Sequence, residues 1–113
     1  SNFDNSILEF DLRSKKNPSN YLIKVYADAP KHKMLIIDMG RTTMIDLSGI
    51  YALEDLIQNV RSKNIKVFVS NANSKIKQVL EKMNFIKHLG ADYYQDSKES
   101  MASIISQHYN TQR

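Results

Sequence analysis

The residues with the most chemical information lie around Ser48. The run Met44-Ile45-Asp46-Leu47-Ser48-Gly49-Ile50 stands where an apolar stretch ends and a helical pattern begins. The first N–H groups of a helix have no partner inside it and attract negative charge. A phosphate on Ser48 would sit beside that positive end. Gly49 allows a sharp backbone turn that keeps the hydroxyl exposed. Asp46 either competes as the cap or repels an added phosphate. Two readings stay open at this level. Ser48 is a phosphoacceptor, or it is an ordinary N-cap with Asp46 shaping the turn.

Other chemistry has no pattern to rest on. With 3 Gly, the chain has neither a G-x-x-x-x-G-K-[ST] loop nor a G-x-G-x-x-G turn. No G-x-S-x-G elbow supports a serine nucleophile. His32 falls in a basic loop, His88 in a turn and His108 on the last helical segment, and each reads as a surface or boundary residue. The 0 Cys exclude a disulfide framework, a thiolate zinc site and a thiol nucleophile. No catalytic set, metal site or cofactor is expected.

The elements that position Ser48 follow from hydrophobic periodicity. Residues 34–38, Met-Leu-Ile-Ile-Asp, read as a buried strand. Residues 40–43 read as a loop. Ile50, Leu53, Ile57 and Val60 recur at helical spacing, with Leu56 widening the stripe, which predicts a helix over about 48–63. Residues 65–69 predict a second buried strand. A polar turn follows, and Ile76, Val79, Leu80 and Met83 mark a second amphipathic helix ending near Asn84. Phe85, Ile86 and Leu89 should return to the core. Tyr93 and Tyr94 suggest a short edge strand. Ser97 caps a last helix with Met101, Ile104, Ile105 and His108 on one face.

This alternation of strand and helix predicts an α/β domain on a mostly parallel sheet. Parallel neighbours end on the same sheet edge, so Ser70 and Asn71 should lie beside Thr42, Thr43, Asp46, Ser48 and Gly49. Leu8, Phe10 and Leu12 alternate with Glu9 and Asp11, a strand pattern. Residues 21–29 fit a helix or a strand equally, and Pro30 ends either.

The chain has 113 residues, which suits one domain over residues 1–113. Hydrophobic residues make up 42% and charged residues 25%, enough for a modest core. No apolar run approaches the ~20 residues of a membrane-spanning helix, and no signal-peptide pattern opens the sequence. The 16 Lys+Arg against 12 Asp+Glu give a net charge of +4. A solubilising surface accounts for this balance. Nucleic-acid binding is not expected, since no helix-turn-helix, zinc-finger or aromatic-interleaved basic pattern is present. Attraction to an anionic membrane surface is the sharper reading of the charge.

From residue 33 to about 105 the sequence resembles the STAS domain, found in bacterial anti-sigma factor antagonists and in the cytoplasmic tails of SulP-type anion transporters. Residues 34–39 look like the family's central strand. Ile45-Asp46-Leu47-Ser48-Gly49-Ile50 looks like its Asp-x-Ser/Thr-Gly signature. Residues 51–56 are similar to the following helix, and 65–70 to the next strand. Residues 79–85 resemble a helix end, with Asn84-Phe85 where Gly-Leu is usual. Residues 91–94 and the last helix resemble the closing segment, so 34–107 is the best-matched region and 1–33 an opening segment that matches poorly.

The resemblance implies a STAS (anti-sigma factor antagonist-like) fold: about four mostly parallel strands with helices packed chiefly on one face. It implies that Ser48 matches the serine phosphorylated in the antagonists, although Leu47 replaces their first hydroxyl residue. Thr42, Thr43, Asp46, Gly49, Ser70 and Asn71 become an interaction surface near which the family implies nucleotide binding. The favoured reading is a non-catalytic regulatory domain of a SulP-family sulfate or other anion transporter, at the cytoplasmic face of the inner (plasma) membrane. Its implied partners are the transmembrane part of the transporter, cytoplasmic regulatory proteins and, electrostatically, the inner leaflet. A free antagonist switched at Ser48 is the alternative, and a small α/β enzyme is the third.

Overall fold

A computed structural model of the chain describes residues 6–13 and 32–111. The choice between helix and strand over 21–29 lies outside the described residues. Among the described residues, four strands form one parallel sheet in the order β1 (Ile7–Asp11), β2 (Met34–Asp38), β3 (Lys66–Ser70), β4 (Tyr94–Gln95). Between β2 and β3 runs α1 (Leu47–Arg61). Between β3 and β4 come α2 (Ser74–Lys82), α3 (Phe85–Leu89) and a 3-10 turn at Ala91–Tyr93. The chain closes on α4 (Lys98–Thr111).

The register sorts side chains onto two faces, because alternate residues of a strand point oppositely. Leu35 pairs with Val67, and Ile37 with Val69. All four are fully buried against Ile50, Leu53, Ile57 and Val60 of α1, Ile76 and Leu80 of α2, and Phe85 and Leu89 of α3. The other face carries Ile7, Met34, Ile36 and Phe68, covered by Met101 of α4 with Ile104, Ile105 and Tyr109 packed at its margin. Among the described residues, three helices thus pack on one side and one on the other. The continuous apolar run of β2 has this cause: four of its five residues face protein on both sides of the sheet.

Asparagine serves the tight turns. Asn64, Asn71 and Asn84 adopt positive φ of 62°, 68° and 59°, a conformation that Asn tolerates better than other residues with a Cβ. Asn64 turns the chain from α1 toward β3. Asn84 separates α2 from α3, the left-handed stop expected there. Arg61, at the end of α1, donates to the Leu89 carbonyl at 2.7 Å and stacks 4.9 Å over the Tyr93 ring, tying α1 to the end of α3.

Several expectations need correction. The first helix begins at Leu47 and is capped by Asp46, not Ser48. The Asp46 carboxylate accepts from Gly49 N–H at 2.7 Å, which leaves Ser48 inside the first turn. Phe85 and Leu89 do return to the core, but as part of a helical turn that places His88 in α3. Tyr93 belongs to the 3-10 turn, and only Tyr94 enters the edge strand. His108 is buried rather than at the surface, its Nε2 lying 3.2 Å from Ser6 Oγ.

Candidate functional site

The register row Asp11, Asp38, Ser70, Gln95 marks the carboxyl edge of the sheet. The α1 loop leaves from this edge. Asp38 organises its start. One carboxylate oxygen accepts from Gly40 N–H at 2.8 Å and from Asn71 Nδ2 at 3.4 Å, and the other lies 3.8 Å from Lys98 Nζ. Asn71 N–H donates to the Gln95 carbonyl at 3.0 Å. Gly40 leaves room for the Asn71 side chain: a Cβ there would meet Asn71 Nδ2 at 2.4 Å and push that amide aside.

Thr42 fastens the loop from inside. Its hydroxyl donates to the Leu12 carbonyl, its N–H donates to the Met39 carbonyl at 3.1 Å, and it is 2% exposed. Ser70 is likewise buried at 3%. These two residues therefore support the edge and do not present side chains to a partner, contrary to the expectation of a surface role. Thr43, Asp46 and Ser48 are exposed, Gly49 is half-buried and Asn71 half-buried. Gly49 packs against its own cap, since a Cβ there would sit 3.1 Å from Asp46 Oδ1.

Around Ser48 the loop and helix expose three large apolar side chains: Met44 at 69%, Leu47 at 48% and Tyr51 at 55%. Leu47 and Tyr51 are four residues apart on α1, so they stand together on its outward face. Sequence reasoning missed this group. The signal was present: Leu47 and Tyr51 fall outside the stripe of Ile50, Leu53, Ile57 and Val60, and an apolar residue off the buried face is an exposed one.

None of the described histidines reaches Ser48. His88 Nδ1 lies 2.5 Å from Glu54 Oε2 on α1, and His108 faces Ser6 at the opposite edge. No cluster of three metal-ligating side chains occurs among the described residues. No helix among them is long and apolar enough to cross a membrane. What the start of α1 provides is an exposed hydroxyl in a helix first turn, surrounded by apolar surface.

A parallel four-stranded sheet with a capped Asp-x-Ser-Gly helix start defines a class of small α/β domain, and the comparisons agree on which. The family model described as STAS domain matches residues 8–100, and the chain belongs to that family. The chain is similar in fold to a SulP transporter STAS domain from Vibrio cholerae. The TM-score is 0.84 with 21% identity, over 96% of this chain and 88% of that one. It is also similar to a sulfate transporter family protein from Wolinella succinogenes, with TM-score 0.72 and 17% identity, over 84% and 80% of the two chains. In sequence it is 36% identical to sulfate transporter 1.2 of Arabidopsis thaliana over 66 residues, 58% of this chain. It is 27% identical to high affinity sulfate transporter 2 of Stylosanthes hamata over the same length. The chain spans about 10% of the length of these curated relatives.

Proposed function

We propose that this STAS domain is a regulatory and protein-interaction module of a SulP-family anion transporter, held at the cytoplasmic face of the membrane. It performs no catalysis of its own. The observation that carries the reading is the apolar group of Met44, Leu47 and Tyr51 around Ser48. Exposed apolar residues gathered at one place mark a surface that another protein covers. The proposed partner is the membrane-spanning part of the same polypeptide, a reading supported by the likeness to relatives named as sulfate transporters, with cytoplasmic regulatory proteins as further candidates. Ser48 is the proposed phosphoacceptor. Because Asp46 already caps α1, the Ser48 hydroxyl can be modified without opening the helix start.

The test is made in the full-length transporter. Leu47→Ser and Tyr51→Ser should change transport by several-fold while membrane abundance and the fold of the domain stay the same. Transport unchanged by both variants would refute the docking role of this surface.

A further inference from the structure

We infer that Met44 is the methionine of this domain that peroxide oxidises, and that its sulfoxide holds the docking face off its partner. The second half rests on the reading of that face as the docking surface. The chain has 5 Met, at positions 34, 39, 44, 83 and 101, and all of them lie within the described residues. Burial divides them. Met34 and Met101 are enclosed between the sheet and α4, and Met39 lies in the core on the α1 side. Met83 is half-buried against that same core. Met44 alone is exposed, at 69%.

Reactivity follows exposure, because a peroxide oxygen must reach the thioether sulfur. The sulfur gains one oxygen atom and gives up two electrons. The O–O bond of hydrogen peroxide breaks, a proton passes from the transferred oxygen to the departing hydroxide, and water leaves. The 0 Cys of the chain provide no thiol to compete for the oxidant. The peroxide is the only co-reactant the step needs.

The place of Met44 gives the oxidation a consequence. It stands with Leu47 and Tyr51, the other large apolar side chains exposed at the start of α1. A sulfoxide turns a flexible apolar side chain into a polar one. Covering that oxygen with an apolar partner strips its water without giving a hydrogen bond in return, which weakens association. A docked partner also shields Met44, so the oxidant reaches the sulfur while the face is released. Oxidation then holds the released state. The fold is spared, since Met44 belongs to neither core cluster.

The experiment has two arms. In the first, the 113-residue chain is treated with hydrogen peroxide, digested, and the added oxygen located by mass spectrometry. Met44 should react at least about tenfold faster than Met34, Met39 or Met101, and ahead of Met83. Circular dichroism and thermal midpoint should be unchanged at one oxygen per chain. Oxidation first at another methionine, or loss of fold with the first oxygen, would overturn the assignment. In the second arm, in the full-length transporter, Met44→Gln puts a polar amide where the sulfoxide would stand. It should change transport in the same direction as Leu47→Ser. Met44→Leu keeps an apolar side chain without sulfur and should remove most of the response to peroxide, measured against its own untreated transport. A response as large in Met44→Leu as in wild type would overturn the switch. So would Met44→Gln without effect where Leu47→Ser has one. Transport unchanged by Leu47→Ser and Tyr51→Ser would refute the docking face, and the switch with it, while the first arm still decides the site of oxidation.

Discussion

At the residue scale, the division of labour between Asp46 and Ser48 decides what the signature does. Both are good capping residues two positions apart, and the sequence leaves the choice between them open. The Asp46 carboxylate accepts from Gly49 N–H and its carbonyl accepts from Ile50 N–H, so Asp46 supplies the whole cap. Asp46→Ala should cost about 0.5–2 kcal/mol in urea unfolding. Ser48→Ala should stay within about 0.5 kcal/mol of wild type, as surface substitutions usually do. The reverse order would return the cap to Ser48. Tyr94 offers a second test. Its hydroxyl is buried and finds no hydrogen-bond partner among the described residues. Burial, helped by the Asp96 and Glu81 charges, pushes its pKa up to about 12. A phenol that ionises at about pH 10 when unfolded but later when folded favours the unfolded chain as pH rises between those values. Stability should therefore fall from about pH 10 to 12, and Tyr94→Phe should flatten that fall. At neutral pH the same variant should gain about 1 kcal/mol by removing an unsatisfied buried hydroxyl. An unchanged alkaline profile in Tyr94→Phe would contradict this.

At the scale of elements, β2, α1 and β3 were legible because their signals are long and unmixed. β2 is apolar on both faces, and α1 repeats its apolar residues at helical spacing over 15 residues. Leu53, at the centre of that stripe and 2% exposed, should cost about 2–5 kcal/mol on truncation to Ala. Short elements were less legible. α3 has 5 residues and β4 has 2, too few for a period to establish itself. Thr42 and Ser70 misled for a different reason: their polar type suggests surface, but the partner of Thr42 is the Leu12 carbonyl, 30 residues away in sequence. Gly40 and Asn71 show the same dependence on distant chain. Gly40→Ala would push the Asn71 amide aside and should destabilise by at most about 1 kcal/mol, since that amide ends a flexible side chain. Adding Asn71→Gly removes the obstructing side chain and keeps the positive φ, so it should restore much of the loss. A double variant no better than Gly40→Ala alone would mean the strain lies elsewhere.

At the scale of the molecule, the sheet separates support from display. Its two faces are taken up by α1–α3 on one side and α4 on the other. Its carboxyl edge holds the loop through Asp38, Thr42 and Asn71. The outward side of α1 and the loop before it are left to present Met44, Leu47, Ser48 and Tyr51. On the proposed reading this is the side that meets the rest of the transporter. The most direct measurement places a photo-crosslinking residue at Leu47 in the full-length transporter and, separately, at Lys75 on α2 as a control. Illumination should join position 47 to the membrane-spanning region and leave position 75 unjoined. Crosslinks from position 75 with none from position 47 would contradict the account.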